Sequence, residues 1–189
     1  MENKTDYDVL LAILKKRLNE TRYYHSLCVA DEAKRLAVKY GADPEKAYLA
    51  GLLHDITKNA PDEEHLKIFK DFGIILSDVE KNAKKLWHAM SGAAYVKHIL
   101  CINDPEIIDA IRYHTTAKAD MSLLAKILYL ADFTSADRDY EDVDLIREYV
   151  DISLEKAFIY ALQYSIKDLV DLKKAVHIDT VAAYNQAVL

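Results

Sequence analysis

The chain contains three prolines, and each stands where a helix would begin. They follow Asp43, Ala60 and Asp104. A first helical turn tolerates proline, because its missing N–H has no partner to lose there, and two of the three follow a good capping aspartate. Glycine is as scarce, at 4 of 189 residues, against an average usage of roughly 7%. So little punctuation implies few, long elements, which helices satisfy better than a many-stranded sheet. Gly41 and Gly73 fall where helix C-terminal caps are expected. Ser77 with Glu80 reads as a capping box, and Ser122 and Ser153 precede long apolar patterns. The spacing predicts helices near 6–19, 22–40, 44–56, 62–71, 78–101, 105–114, 122–133, 142–150, 153–172 and 179–187. Strand-like alternation is absent, so the expected class is all-α. No repeat, low-complexity run or linker divides the chain, which implies one domain over 1–189.

A formal net charge of −6 argues against nucleic acid or an anionic membrane as partner, since both call for a basic surface. It leaves room for a small phosphorylated substrate if bound cations supply positive charge locally. No run reaches the roughly 18 apolar residues of a membrane span, and the start lacks a basic leader region, so the expected location is the cytoplasm. Cys28 and Cys101 sit in helix-like apolar patterns and read as reduced core thiols. The sequence does not set the oligomeric state, and a homodimer is allowed.

Strongly polar residues interrupt the apolar faces. In the predicted helix 44–56, Ala47, Ala50, Gly51 and His54 follow the i, i+3, i+4, i+7 spacing of a buried stripe, with Asp55 beside it. Lys58 lies three residues from Asp55 and four from His54. Asp132 stands beside the stripe Leu124, Ile127, Leu128, Ala131, and His114 extends the stripe Ile107, Ile108, Ile111. His88 comes just before Ser91, Gly92, Ala93 and Ala94, small residues that let another backbone approach. His25 leads Cys28, Val29 and Leu36. Buried charges are normally paired or bound to metal. Arg22, Lys58, Arg112 and Arg138 are too few and too scattered to pair all six of these groups, whereas a shared metal centre accounts for them together. A single histidine near an apolar stripe is more often a satisfied core or boundary residue, and His65, His98 and His177 are read that way.

The ordered set His25, His54-Asp55, His88, His114, Asp132 resembles the H…HD…H…H…D pattern of the HD-domain metal-dependent phosphohydrolases. The segments RYYHSLCVADEAKRLAVKYGAD, KAYLAGLLHDITK, LWHAMSGA, DAIRYHTT, LYLADFTSADRD and VHIDTVAAYN are similar to the YqeK family of bacterial HD-domain proteins. That resemblance spans nearly the whole chain. It implies a helical bundle around a buried dinuclear metal site and a symmetrical bis(5′-nucleosyl)-tetraphosphatase activity, which splits diadenosine tetraphosphate into two ADP. Two divalent metal ions are implied, with iron first and manganese, zinc or magnesium as alternatives. Asp55 would bridge the ions. His25, His54 and Asp132 would complete one, and His88 with His114 the other. Hydroxide generated between the ions would attack an inner phosphate.

Lys58 is the first candidate for a phosphate contact and Arg138 the second, with Thr115 and Lys118 weaker. Asp55 and Lys58 form the expected catalytic pair. The run KNAKK at 81–85 reads as a solvated face, and Tyr113 is a guess for stacking on a base. Three positions depart from the family pattern: Ala117 where a glycine is usual, Ser135-Ala136 where Glu-Pro is usual, and Ile178 where proline is usual. None removes an expected ligand. Other phosphohydrolase activities on the same centre stay open, among them a nucleotidase, a guanosine tetraphosphate hydrolase and a cyclic-dinucleotide phosphodiesterase. A non-catalytic signalling module is a further alternative.

Overall fold

Capping side chains start most of the helices where the sequence marks them. The computed structural model describes residues 6–189, so the first five residues of the expected 1–189 domain lie outside the described residues. The described residues form α1 (Tyr7–Arg17), α2 (Glu20–Tyr40), α3 (Pro44–Leu53), α4 (Asp62–Asp71), α5 (Asp78–Asn82), a 3-10 turn (Lys84–Leu86), α6 (Trp87–His98), α7 (Pro105–Tyr113), α8 (Leu123–Thr134), α9 (Val143–Ile152), α10 (Leu154–Asp171) and α11 (Ile178–Val188). Asp43 and Asp104 cap α3 and α7 ahead of their prolines, and Ser122 and Ser153 cap α8 and α10. Both arms of the Ser77–Glu80 capping box are present. Gly41 and Gly73 adopt the left-handed conformation at the ends of α2 and α4, with φ of 78° and 67°. Among the described residues there is no strand, and no helix is long and apolar enough to cross a membrane.

One apolar cluster runs from Leu10 on α1 to Ala183 on α11. At its heart α2 packs on α3 and α8, and α7 packs on α3, α6 and α8. These five helices are the ones whose inward faces carry the interrupting histidines and aspartates. Gly51 makes the α2–α3 approach possible, because a Cβ there would lie 2.7 Å from the Ala30 Cα.

The structure corrects three expectations. The helix expected over 78–101 is broken. α5 ends at Asn82, and Ala83 turns out of helical geometry with ψ of 69°. The Trp87 indole N–H then donates to the Glu80 carbonyl at 2.7 Å, folding the chain back before α6 begins. The helix expected over 44–56 closes at Leu53. The next backbone bonds span three residues, from Ile56 N–H to the Leu53 carbonyl and from Lys58 N–H to the Asp55 carbonyl, so the path tightens towards 3-10 geometry. Finally, Cys101 is exposed, because α6 stops short of it, and Cys28 is only half-buried.

Ala117 is fully buried and has a φ of 54°. The left-handed conformation costs a non-glycine residue about 1–2 kcal/mol. A glycine would remove that strain but lose a buried methyl worth about 0.8 kcal/mol and add backbone freedom in the unfolded chain worth up to about 1 kcal/mol. These effects nearly cancel, which is how alanine is tolerated at this backbone angle. Ala117→Gly is therefore expected to change stability by less than about 1 kcal/mol in denaturant unfolding. Ala117→Val, branched at this φ and in a filled space, is expected to cost about 3 kcal/mol. Equal effects of the two would refute the strain account.

Candidate metal centre

Six side chains from five elements meet at the centre of the bundle. His25 comes from α2, His54 and Asp55 from the tightened turn after α3, His88 from the first turn of α6, His114 from the end of α7 and Asp132 from α8. The four histidines and Asp55 are at most 3% exposed. Their atoms form three overlapping groups that could each hold an ion: His25, His54 and Asp55; His54, His114 and Asp132; and Asp55, His88 and His114. Asp55 is the carboxylate common to the first and last. Its Oδ1 lies 3.1 Å from His88 Nε2 and 3.7 Å from His114 Nε2, and its Oδ2 lies 3.5 Å from His54 Nε2. His25 Nε2 is 3.0 Å from Asp132 Oδ1.

The hydrogen bonds fix which ring nitrogen is free. His54 Nδ1 donates to the Gly51 carbonyl at 2.6 Å, and His114 Nδ1 to the Ile111 carbonyl at 2.7 Å. His25 Nδ1 is held by Asp137 Oδ2 at 2.7 Å. With Nδ1 protonated in each, Nε2 presents a lone pair, the form in which imidazole binds a metal. These Nε2 atoms point inward. His54 Nε2 and Asp55 Oδ1 are buried without any hydrogen-bond partner, a costly arrangement that bound cations would relieve. The donor set, the convergence and the orphaned atoms fit divalent metal ions.

Electrostatics agree. Burial opposes ionisation of Asp55, yet its carboxyl is held well below the usual range, and the Arg22 guanidinium 2.8 Å from its Oδ2 gives it a positive partner whatever the state of the rings. Asp132 behaves alike, with His25 and Arg138 overcoming its burial. Burial pulls His88 down to about 4, against the pull of Asp55, so the ring is neutral near pH 7 and available as a ligand.

Lys58 reaches the same place. Its Nζ lies 3.1 Å from His88 Nε2 and 3.7 Å from Asp55 Oδ1. Arg138 pairs with the Asp132 carboxylate and also donates from Nε to the Asp132 carbonyl at 2.6 Å. Its loop is clamped by Arg147, whose guanidinium donates to the carbonyls of Thr134, Ser135 and Arg138. Thr115 follows His114 directly, and its Oγ1 is buried without a partner. Lys118 instead pairs with Asp109 at 2.7 Å and lies over the Tyr113 ring at 4.6 Å. Arg112 also sits over that ring, at 4.9 Å. Cations therefore occupy Tyr113, which makes it a poor platform for a base. His65 and His98 keep structural roles: His65 Nδ1 bonds Ser91 Oγ at 2.8 Å, and His98 stacks on Phe72.

Three features were not read from the sequence. Asp137 orients His25 from 112 positions away; only its place beside Arg138 hinted at it. Arg22 Nη1 lies 2.8 Å from Asp55 Oδ2, although the sequence set Arg22 aside as too scattered. Thr57 Oγ1 donates to the His88 carbonyl at 2.9 Å and meets Ser91 Oγ at 2.8 Å, which fixes the start of α6 behind His88. Loss of a carboxylate behind a ligating histidine typically costs about 10–100-fold in metal affinity. Asp137→Ala is expected to show a loss of that size in metal titrations with helix content unchanged. Unaltered affinity would mean that His25 needs no orienting partner.

A family model described as HD domain matches residues 22–137. The symmetrical bis(5′-nucleosyl)-tetraphosphatase of Bacillus subtilis (strain 168) is 35% identical over 175 residues, covering 93% of this chain and 94% of the relative. The symmetrical bis(5′-nucleosyl)-tetraphosphatase of Halalkalibacterium halodurans is 36% identical and covers 95% of both chains. In three dimensions the chain matches the crystal structure of a predicted HD superfamily hydrolase involved in NAD metabolism from Clostridium acetobutylicum. The TM-score is 0.94 with 36% identity, over 98% of both chains.

Proposed function

Because the chain belongs to the HD-domain family of metal-dependent phosphohydrolases, we propose that it is a symmetrical dinucleoside tetraphosphatase, cleaving diadenosine tetraphosphate into two ADP. One observation carries the reading: relatives that bear this activity in their names match almost end to end. The convergence of all six expected ligands supports it.

In this reading His25, His54, Asp55 and Asp132 would hold one divalent ion, and Asp55, His88 and His114 would hold a second. Imidazole and carboxylate donors suit iron, manganese or zinc; iron is our first assignment, with magnesium the least suited. Bound ions supply Lewis acidity, a water that is nucleophilic near neutral pH, and neutralisation of phosphate charge. The chain does the rest. Asp137 and the Gly51 and Ile111 carbonyls hold three imidazoles in the ligating tautomer. Lys58, drawn below the usual lysine range by burial, places an N–H donor at the His88 edge, where a phosphate oxygen of the substrate would sit. Arg138 and Thr115 are further phosphate contacts, Arg138 turning from Asp132 towards the substrate. The substrate is a small nucleotide and the compartment the cytoplasm. We take 1–189 as one domain, with a homodimer allowed.

The test is anaerobic incubation of iron-loaded protein with diadenosine tetraphosphate, with products separated by chromatography. ADP alone is expected. ATP with AMP would move the point of attack and overturn symmetric cleavage. No product from protein with metal bound would overturn the substrate and send the search to other phosphorylated nucleotides.

A further inference from the structure

Three of the four imidazoles at the centre are aimed by an acceptor on their own Nδ1: the Gly51 carbonyl for His54, the Ile111 carbonyl for His114 and the Asp137 carboxylate for His25. His88 is the exception. Among the described residues the one partner of its Nδ1 is the Lys58 ammonium at 3.5 Å, which is a donor. No acceptor on the far side of the ring sets its aim, so the aim must come from the backbone that carries it. That backbone is the first turn of α6, where N–H groups lack partners within the helix, and α6 begins without a capping side chain.

Thr57 supplies the missing anchor. Its hydroxyl donates to the His88 carbonyl at 2.9 Å. Thr57 stands in the same tightened turn as Asp55 and Lys58, whose Oδ1 and Nζ each lie 3.1 Å from His88 Nε2. One turn thus meets His88 at both ends, ring and carbonyl. The seam leaves little slack. Thr57 and Ser91 are fully buried, and a Cβ on Gly92 would stand 3.4 Å from Thr57 Oγ1 and 3.6 Å from the His54 carbonyl oxygen. Behind Thr57, Ser91 Oγ donates to the Trp87 carbonyl at 2.9 Å and meets His65 Nδ1 at 2.8 Å, which joins α6 to α4. Ser91 Oγ is 3.5 Å from the His88 carbonyl, beyond the roughly 2.5–3.0 Å of an O–H···O bond. The carbonyl of His88 is therefore held from the side by Thr57 and not by Ser91.

We propose that Thr57 is the positioning residue of the Asp55–His88–His114 group. By holding the His88 carbonyl it does for that ring what an Nδ1 acceptor does for the other three. It governs the second ion and leaves the ion of His25, His54 and Asp132 alone. The inference rests on the two-ion reading of the centre and is independent of the substrate.

The experiment is a manganese titration of the metal-free full chain followed by calorimetry. Two binding steps are expected of the wild type, and His88→Ala identifies the step that belongs to the second ion. Thr57→Val keeps the side-chain shape and removes the hydroxyl. It is expected to weaken that step by about 10–100-fold, the usual effect of losing a group that orients a ligand, with the other step unchanged. Thr57→Ser, which keeps the hydroxyl, should restore both steps. Ser91→Ala leaves the Thr57 bond in place while stripping His65 Nδ1 of its partner, so it should lower Tm and keep both steps. If Thr57→Val does not fold, Thr57→Ala carries the same expectation. Equal weakening of both steps, no weakening of either, or the same selective loss in Ser91→Ala would overturn the role of Thr57 alone. A single binding step in the wild type would overturn the two-ion reading and this role with it.

Discussion

Asp55→Asn is expected to lower turnover at least about a thousandfold and to leave the chain short of metal. The carboxylate is 1% exposed and lies among His54, His88 and His114. Losing a group that only orients a ligand costs about 10–100-fold; losing the carboxylate shared by two candidate ion groups should cost more. The substitution preserves shape, and the partner it releases, Arg22, is partly exposed and can regain water. The fold is therefore expected to survive, so metal content and activity are read on folded protein, by elemental analysis and a product assay. Near wild-type turnover with two ions per chain would end the bridging role.

The second large effect is structural and runs against local propensity. Alanine in place of glycine normally favours a helix interior by about 1 kcal/mol. At Gly51 the added Cβ would stand 2.7 Å from the Ala30 Cα, 2.9 Å from its N and 2.9 Å from the Val29 carbonyl oxygen. All three are backbone atoms of α2, which cannot swing aside as a side chain can. Overpacking of a filled core typically costs about 1–3 kcal/mol, and a backbone collision belongs at the upper end. Gly51→Ala is expected to lower stability by about 3 kcal/mol and Tm by roughly 6–12 °C for a chain of this size. It should also weaken metal retention, since α2 carries His25 and α3 leads into His54 and Asp55. A variant as stable as wild type, or more so, would show that the α2–α3 contact is looser than its geometry indicates.

Most of the helices were legible because their ends are written in local chemistry. Asp43-Pro44, Asp104-Pro105, Ser77 with Glu80, Gly41 and Gly73 each act within a few residues. The six interrupting side chains were legible because an aspartate or histidine on an apolar stripe costs free energy unless something else repays it. The break at Ala83 was not legible, since neither glycine nor proline marks it and the bond that shapes it joins Trp87 to Glu80. Asp137 and Arg22 were missed for a related reason. Their partners lie 112 and 33 positions away, and beyond Asp137's place beside Arg138 little local marks them off from ordinary surface charges. The run 81–85 was read as a solvated face, and for Lys81 and Lys84 the ion pairs with Asp78 and Asp62 agree.

The backbone bonds of His54 and His114 have a wider consequence. Each ring is anchored to a carbonyl three residues earlier in its own chain segment. Its aim is thus set within a single turn, whereas the range between rings is set by how closely the helices approach. Aim and range are separate controls. A change in a helix–helix seam alters spacing without rotating an imidazole, and a change within the turn rotates an imidazole without moving a helix. Such a centre can be retuned by small steps in one control while the other holds the remaining side chains in place.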